Sequence, residues 1–393
     1  MITSSSNTTA ETAGPSGMAC VSVAMLDSIL TAAGYRVGRY TSPHLIRYNE
    51  RIRVAGEVAD DATICAAFDE IDRARADISL TYFEFGTLAA LHVFASANID
   101  IAILEVGLGG RLDAVNLIDA DVTLIATLDI DHVEFLGSDR ESIGREKAGI
   151  MRADRPSVCS DPNPPRSIVG HAANIGCPLH LMGRDFGVES GGETWTWWNG
   201  KGKLEALPPP ALHGSFQFQN AAGVLMALEL IGPRCPVSRQ AIENGLRTVK
   251  LAGRFQILQL SDGVTWILDV AHNPQSARVL AETLRDESPP SGRTIFLVGM
   301  LKDKDIDGVF SVLHDLADEW HLVTLTARRG ATAAVLRQKL KPYPTRGTMR
   351  LHETIPMACE AVKASACPGD RVLVFGSFLT VAGVAEVLDC DDG

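Results

Sequence analysis

The chain has 393 residues, 46% of them hydrophobic and 21% charged, which predicts a globular enzyme with two domains rather than one. Its net charge of −12 argues against a nucleic-acid partner, and the lack of an apolar run of eighteen residues argues against a membrane partner. The eight cysteines are scattered without a CxxC pair, so zinc and a disulfide framework are not expected, and a reducing cytoplasm is the predicted location.

The first thirteen residues, Met1 to Ala13, are rich in Ser and Thr and lack the apolar centre of a secretory signal. We predict that they form a disordered leader. Gly14-Pro-Ser-Gly17 then precedes a predicted helix from Met18 to Ala33, where a phosphate-binding loop would lie. Met18 and Cys20 stand where such a loop has a lysine and a hydroxyl, so the residues alone favour a plain capped helix start.

Two polar segments follow this helix. Ser42 precedes Pro43, which favours an extended turn, and the Ser42 hydroxyl is interpreted either as part of that turn or as a ligand for a cation. The segment Thr81-Tyr-Phe-Glu84 opens an amphipathic helix. Glu84 is interpreted as a helix-start carboxylate in preference to a substrate ligand.

Two buried-strand patterns form the centre of the predicted first domain. The apolar run from Ile101 contains Glu105 and continues into a glycine-rich segment, which lets backbone approach a ligand. The next strand, from Asp121, leads to Asp129-Ile-Asp131-His132. Because parallel sheets bind ligands at the carboxyl ends of their strands, Glu105 and His132 are predicted to form a cation site, with Lys147 one helix away.

A hairpin is predicted where three tryptophans surround the turn signal Asn199-Gly200, and we favour a role in sheet packing over base stacking. The pattern restarts as alternating strands and helices at Gly253, so the predicted domains are 14–252 and 253–393. Predicted strands there are 255–259, 264–270, 294–299, 321–325 and 371–375, with helices at 274–286, 306–316, 331–340, 355–366 and 379–388. His272, beside Asp269 and with Arg254 at the domain junction, is a candidate site residue.

Together these segments resemble the folylpolyglutamate synthase and dihydrofolate synthase family, within the Mur ligase superfamily. They occur in the family order from about residue 20 to residue 380. The matching segments are Ala33–Leu45, Leu80–Glu84, Leu104–Asn116, Asp131–His132, Arg145–Ile150, Gly253–Gln256 and Asp269–Pro274.

The resemblance implies an α/β fold with two domains, a P-loop-type wound ATPase domain and a smaller Rossmann-like C-terminal domain. It also implies an ATP-dependent amide ligase that phosphorylates a substrate carboxylate and lets the amino group of L-glutamate attack the acyl phosphate. Dihydropteroate or folate would be the acid. ATP and Mg²⁺ are the implied cofactors, since Mg²⁺ bridges phosphate oxygens. A cytoplasmic monomer is the implied form.

Site residues are carried over from the family by motif. Ser42, Glu105 and His132 would ligate magnesium, and Lys147 matches a catalytic lysine that is carbamylated to support a second magnesium. Thr81, Tyr82, Phe83 and Glu84 would contact the pterin-bearing substrate. The implied ATP-binding residues are Gly14, Gly17, Asn220, Arg254, Asp269 and His272, and His272 is also the second implied catalytic residue.

The chain departs from the family pattern at its beginning. Relatives read Gly-Thr-Asn-Gly-Lys-Gly-Ser where this chain reads Gly14-Pro-Ser-Gly-Met-Ala-Cys20, and they carry a strand ahead of that loop. The loop lysine is absent here, and the central strand is expected to be absent too. Two alternatives therefore stay open: a catalytically impaired homologue that binds folate or nucleotide, and a related ligase for another carboxylate.

Overall fold

The computed structural model describes residues 8–13, 18–129, 133–191, 193–232 and 234–389. The chain divides into two compact units, Met1–Ala211 with Phe216–Val249, and Leu212–Ser215 with Lys250–Gly393. The main part of the second unit thus begins at Lys250, three residues before Gly253, at which the sequence predicted the boundary. Among the described residues, no helix has both the length and the apolar character needed to cross a membrane.

The first unit contains a sheet of eight strands and a smaller sheet of three. The strands of the large sheet are β1 (Thr8–Ala13), β2 (Val37–Tyr40), β3 (Ile52–Val54), β4 (Glu57–Val58), β5 (Ile101–Glu105), β6 (Val122–Ile125), β7 (Ser157–Cys159) and β8 (Leu179–Leu181). Their order is β4-β3-β2-β5-β1-β6-β7-β8; the pairs β2–β3 and β3–β4 are antiparallel, and the other pairs are parallel. The carboxyl ends of the six parallel strands therefore share one edge of the sheet.

Eight helices surround this sheet in the described part of the first unit. They are α1 (Met18–Ala32), α2 (Asp61–Arg75), α3 (Tyr82–Ala97), α4 (Val133–Leu136), α5 (Arg140–Ala148), α6 (Arg166–Ile175), α7 (Gln217–Ile231) and α8 (Arg239–Thr248). Helices α1, α7 and α8 pack together, and α3 packs with α2 over a core that includes Tyr40, Phe94 and Leu104. The helix predicted from Met18 is confirmed.

The prediction of a disordered leader is wrong for residues 8–13, and so is the expected loss of the central strand. Strand β1 lies between β5 and β6, with Ala10 opposite Ile103 on one side and Val122 on the other. Thr8, Ala10 and Thr12 are buried. Small and β-branched residues suit this position, and two neighbouring strands supply hydrogen-bonding partners that the local sequence does not reveal. Residues 1–7 lie outside the described part.

The predicted tryptophan hairpin is confirmed. Strands β9 (Phe186–Ser190), β10 (Trp195–Asn199) and β11 (Gly202–Leu207) form an antiparallel sheet in the order β11-β10-β9. Trp195 and Trp197 are buried, and their indole N–H groups donate to the carbonyl oxygens of Pro208 and Ala222. These two side chains therefore have the packing role that we favoured over base stacking.

The second unit is a six-stranded sheet covered by five helices in its described part. The strands are β12 (Gln256–Gln259), β13 (Thr265–Leu268), β14 (Thr294–Val298), β15 (Glu319–Val323), β16 (Thr348–His352) and β17 (Arg371–Phe375). The helices are α9 (Pro274–Asp286), α10 (Ile306–Leu313), α11 (Ala333–Leu340), α12 (Ile355–Ser365) and α13 (Phe378–Val387). The order is β12-β13-β17-β14-β15-β16, parallel except for β12.

The predicted parallel wound sheet of this unit is confirmed, but β16 was missed. This strand pairs only with β15 and forms the sheet edge. Its residues, Thr-Met-Arg-Leu-His, are exposed or half-buried. An edge strand of this kind lacks the continuous apolar run by which buried parallel strands are recognised.

Candidate functional site

Ser42 and Glu105 lie side by side at the carboxyl edge of the large sheet. Glu105 is the last residue of β5, and Ser42 follows the neighbouring strand β2. The backbone N–H of Ser42 donates to Oε2 of Glu105 at 3.0 Å. Glu105 is only 4% exposed. A buried carboxylate and a serine whose backbone is bound to it thus lie at the strand ends where the sequence predicted a cation site.

The side-chain carboxylate of Glu50 holds the end of the loop that carries Ser42. Glu50 accepts the N–H groups of Leu45 at 2.6 Å and Ile46 at 2.7 Å, and it also accepts the N–H of Arg47. Glu50 was not among the predicted site residues. Glu50 lies in the first turn of a 3-10 helix, Tyr48–Arg51, and its position there was the available signal, since a carboxylate at a helix start commonly accepts free backbone N–H groups.

The glycine-rich segment after β5 lies against two other parts of the site. A Cβ atom at Gly107 would meet the Phe83 ring at 2.6 Å, and one at Gly110 would meet the carbonyl oxygen of Glu146 at 2.9 Å. Gly110 also has a φ of +153°. Glycine is therefore required at both positions, one to seat an aromatic ring and one to approach the last turn of α5.

Lys147 lies in that last turn, buried at 4% exposure. The loop after β5 is bound to the same turn, because the N–H of Arg111 donates to the carbonyl oxygen of Glu146 at 2.9 Å. The charge of Lys147 acts on Asp113, whose pKa is raised by burial and lowered in part by this lysine. The predicted catalytic lysine is therefore packed against the loop that follows Glu105.

Three predicted site residues lie outside the described part of the chain. They are His132, a predicted metal ligand, and Gly14 and Gly17 of the predicted phosphate loop. The segment leading to His132 is described as far as Asp129, directly after β6. The proposed pairing of Glu105 with His132 on one ion therefore stays a prediction.

The segment Thr81–Glu84 forms the start of α3. Thr81 is the N-cap, and its hydroxyl accepts the N–H of Glu84, while the Glu84 carboxylate accepts the N–H of Thr81 at 2.7 Å. The pKa of Glu84 is lowered because this backbone N–H stabilises the carboxylate. The interpretation of Glu84 as a helix-start carboxylate is confirmed, and Thr81 shares in capping this helix.

An aromatic cleft of about 370 Å³ opens beside the start of α3. Thr81 and Tyr82 line it, whereas Phe83 packs toward Gly107 and lies 5.8 Å from the Tyr40 ring. The Arg51 guanidinium lies 5.4 Å from the ring centre of Tyr82. The full lining is Tyr48, Phe68, Arg75, Leu80, Thr81, Tyr82 and Phe85. A flat aromatic group suits such a lining by stacking.

Asn220 and its neighbour lie in the first unit, near the start of α7. Asn220 is buried, and its amide donates to Oε1 of Gln217 at 3.0 Å. The adjacent Gln219 donates to the carbonyl oxygen of Ser160 at 2.8 Å. This end of α7 is thus attached to the chain that leaves β7.

Arg254, Asp269 and His272 lie close together in the second unit. The carboxylate of Asp269 accepts the N–H groups of Phe255 and Ala271, each at 2.8 Å. Burial raises the pKa of Asp269, and the charge of Arg254 opposes that rise. Both Arg254 and His272 lie near Phe378. The guanidinium carbon of Arg254 is 5.5 Å from the centre of the Phe378 ring, and the centre of the His272 ring is 6.5 Å from it.

The tautomer of His272 follows from its hydrogen bond. Its Nδ1 lies 2.8 Å from the carbonyl oxygen of Val270, which only accepts, so Nδ1 carries the proton. In the neutral ring Nε2 is then the acceptor nitrogen. Such a group can take a hydrogen bond from a hydroxyl or an amine of a ligand.

The described residues fit a magnesium ion by their chemistry. Ser42 and Glu105 supply a hydroxyl and a carboxylate, the hard oxygen ligands that Mg²⁺ prefers. No group of three or more His, Cys, Asp or Glu side chains suited to a metal occurs among the residues that the structure describes. An octahedral ion that keeps several waters and binds substrate phosphates does not need such a group.

Comparison with known proteins gives three consistent findings. Residues 253–378 match the family model of the Mur ligase, glutamate ligase domain. The dihydrofolate synthase/folylpolyglutamate synthase of Escherichia coli (strain K12) is 45% identical over 364 residues, which cover 93% of this chain and 83% of the relative.

Solved structures of such proteins superpose on nearly the whole chain. Escherichia coli FolC in complex with DHPP and ADP gives a TM-score of 0.89 at 43% identity, covering 97% of this chain and 88% of that one. A bifunctional folylpolyglutamate synthase/dihydrofolate synthase with Mn, AMPPNP and L-glutamate bound gives a TM-score of 0.86 at 41% identity, with 97% and 89% covered.

Proposed function

This chain belongs to the dihydrofolate synthase/folylpolyglutamate synthase family of Mur-type ligases, and from this we propose how its own residues join L-glutamate to dihydropteroate and to folates. Members of the family are ATP-dependent ligases. A free carboxylate is a poor acyl donor, because its oxygen anion is a poor leaving group. Transfer of the γ-phosphoryl group of ATP to that oxygen makes a leaving group, which the amino group of glutamate then displaces.

We place the divalent ion at the carboxyl ends of β2 and β5. The Ser42 hydroxyl and the Glu105 carboxylate would hold it, with His132 as a third ligand. When bound, Mg²⁺ neutralises the charge that develops on the phosphoryl oxygens. The chain keeps the carboxylate of Glu105 oriented through the N–H of Ser42, and it keeps bulk water away by burying that side chain.

The pterin-bearing acid is assigned to the start of α3. Thr81 and Tyr82 line the aromatic cleft, and the Phe83 ring extends from this helix to Gly107 in the loop after β5. Stacking on these rings would orient a flat pterin while its carboxylate extends toward the strand ends. Glu84 is not assigned to the substrate, because its carboxylate caps the helix.

ATP binding is assigned to Asn220 in the first unit and to Arg254, Asp269 and His272 in the second. Arg254 supplies a permanent positive charge for phosphate. The Asp269 carboxylate accepts the N–H of Phe255, which follows Arg254, and the N–H of Ala271, which precedes His272. His272 presents Nε2 as an acceptor. Asp269 therefore acts by holding the backbone near Arg254 and His272.

Lys147 is assigned the catalytic role of a carbamylated lysine. Its ammonium group would first lose a proton, and the neutral amine would then add CO₂ and lose a second proton, so that a cation becomes a carbamate anion. The side chain is buried at 4% exposure, beside the loop that follows Glu105. The resulting carbamate oxygens would support a second divalent ion, as the resemblance to the family implies.

The observation that carries this proposal is the buried Ser42–Glu105 contact on adjacent parallel strands. Its test is a substrate panel: ADP release is measured with dihydropteroate, a reduced folate and several unrelated carboxylic acids, each with and without L-glutamate. We expect ADP release and a product one glutamyl residue heavier only for the pterin acids. Glutamylation of another acid, with dihydropteroate inert, would instead identify a ligase for a different substrate.

We further propose that the protein is a monomer of the cytoplasm. The seven cysteines that the structure describes are all free, as expected in a reducing compartment. ATP and L-glutamate are also abundant there. Analytical ultracentrifugation at micromolar concentration tests the monomer, and a stable dimer would refute it.

A further inference from the structure

Asp161, which no motif singled out, lies directly after the carboxyl end of β7 and has 1% exposure. Its Oδ2 accepts the N–H of Leu128 at 2.7 Å and the Nη2–H of Arg140 at 2.6 Å. Its Oδ1 accepts the N–H of Asn163 at 2.8 Å. One buried carboxylate thus connects three segments of the first unit.

The first of these segments is the chain that leaves β6. Leu128 precedes Asp129 and stands four positions before His132 in the sequence. A charged acceptor makes the Leu128 hydrogen bond stronger than one between neutral groups. The hydrogen bond therefore fixes the backbone at the base of the segment to which the third metal ligand is assigned.

The second segment is α5. Arg140 is its first residue and Lys147 belongs to its last turn, which places the lysine about 10 Å along the helix axis. The Arg140–Asp161 ion pair joins a carboxylate at 2% side-chain exposure to a guanidinium at 38%. Removing one partner of such a pair leaves a buried charge unmatched, so the ion pair constrains the start of the helix.

We propose that Asp161 is a positioning residue of the ligase site. It fixes the position of the chain that leaves β6, here called the β6 exit, relative to helix α5. Through Arg140 it positions the helix that carries Lys147, and through Leu128 it holds the backbone that leads to Asp129. Asp161 does not touch substrate in this arrangement. The inference rests on the proposed function for its purpose and on the three hydrogen bonds for its geometry.

The chain offers a matched control in Glu141, the residue after Arg140. Its carboxylate also ties α5 to a neighbour, since it accepts the N–H groups of Arg166 at 2.9 Å and Ser167 at 2.8 Å. These contacts lead to α6 and do not involve the β6 exit. Glu141→Gln therefore weakens the attachment of α5 without altering the acceptor of Leu128.

The experiment compares Asp161→Asn, Arg140→Met, Glu141→Gln and Asp161→Glu with the unmodified chain. Hydrogen exchange of peptides covering 126–129 and 140–147 is measured by mass spectrometry, which needs no turnover. Mn²⁺ binding in the presence of ADP is measured by electron paramagnetic resonance. Arg140→Met removes one contact of Asp161 and retains the hydrogen bond to Leu128, so it separates the two segments.

We expect Asp161→Asn to speed exchange at 126–129 by about tenfold and to raise the Mn²⁺ concentration for half-saturation by about tenfold. Asp161→Glu should restore part of both, Arg140→Met should affect mainly 140–147, and Glu141→Gln should leave Mn²⁺ binding unchanged. Unaltered exchange in Asp161→Asn, or Mn²⁺ binding equal to that of Glu141→Gln, would overturn the inference. If the unmodified chain binds no Mn²⁺, the proposed function fails, and the exchange result alone decides the role of Asp161.

Discussion

The backbone N–H of Ser42 donates to Oε2 of Glu105 at 3.0 Å, which connects the ends of two adjacent parallel strands. These residues are far apart in sequence, and only the wound sheet brings them together. The contact fixes one oxygen of a buried carboxylate against the backbone of a serine. It defines the edge of the sheet at which we propose that phosphoryl transfer occurs.

Glu105→Gln should lower kcat by about 10² to 10³, because the amide keeps the size of the side chain but removes the charge offered to the metal. Mn²⁺ binding with ADP should weaken in parallel. Glu243→Gln is the control, since Glu243 pairs with Arg239 on the outer surface of α8. If both variants keep the same kcat and Mn²⁺ affinity as the unmodified chain, Glu105 is not a metal ligand.

Lys147→Ala should abolish ligation, and added acetate or formate should restore a fraction of it. The truncated side chain leaves space in a buried site, and a small carboxylate can occupy the position of the carbamate. Lys147→Arg, which keeps a positive charge and cannot be carbamylated, should stay inactive with or without acetate. Full activity of Lys147→Arg would show that the site uses a cation there and would refute the carbamate assignment.

Met18→Lys should raise kcat by up to about 10²-fold, because a loop lysine stabilises charge on the transferred phosphoryl group. The change lies at the first residue of α1, at the position where the family motif carries its lysine. Met18→Leu, which alters shape without adding charge, serves as the control. Equal rates for the lysine and leucine variants would mean that this chain does not use a loop lysine.

The second unit should lose stability as the pH falls, because of His321. This side chain is fully buried on β15, and its Nδ1 lies 3.0 Å from Nε2 of His352. Burial, followed by the neighbouring His352, lowers the pKa of His321 from 6.5 to about 4. The unfolded chain therefore takes up the proton first, and stability is lost as the pH falls from about 6.5 to about 4.

Urea unfolding followed by tryptophan fluorescence measures this loss, since Trp266 and Trp320 are both buried in the second unit. His321→Gln should make the unfolding midpoint less dependent on pH within that window. His171→Gln, on α6 of the first unit, is the comparison. An identical pH dependence in His321→Gln and the unmodified chain would show that another group titrates.

Much of the fold could be predicted because its signals are local. The helix at 274–286 matches α9 in both bounds, since Asn273 and Pro274 form a recognisable helix start and the apolar spacing is regular. Strand β1 was missed for the opposite reason. Its Thr-rich sequence resembles a leader, and only the neighbouring strands β5 and β6 make it a strand.

The site was predicted as far as it follows from strand ends and family motifs. Glu105 and Ser42 share one edge of the sheet because Glu105 ends β5, Ser42 follows β2, and these two strands are parallel neighbours. Asp161 and Glu50 were not predicted, because their function is to accept backbone N–H groups, and any segment of the chain provides those. No residue pattern identifies the donor, so such supporting contacts become visible only in the folded structure.

Labelling the substrate carboxylate with heavy oxygen tests the central claim most directly. Dihydropteroate carrying the label in its carboxylate is incubated with ATP, Mg²⁺ and L-glutamate, and the released inorganic phosphate is analysed by mass spectrometry. We expect one labelled oxygen in the phosphate, since the carboxylate oxygen attacks the γ-phosphorus and leaves with it when the amide forms. Unlabelled phosphate released together with glutamylated product would contradict activation of the carboxylate by ATP.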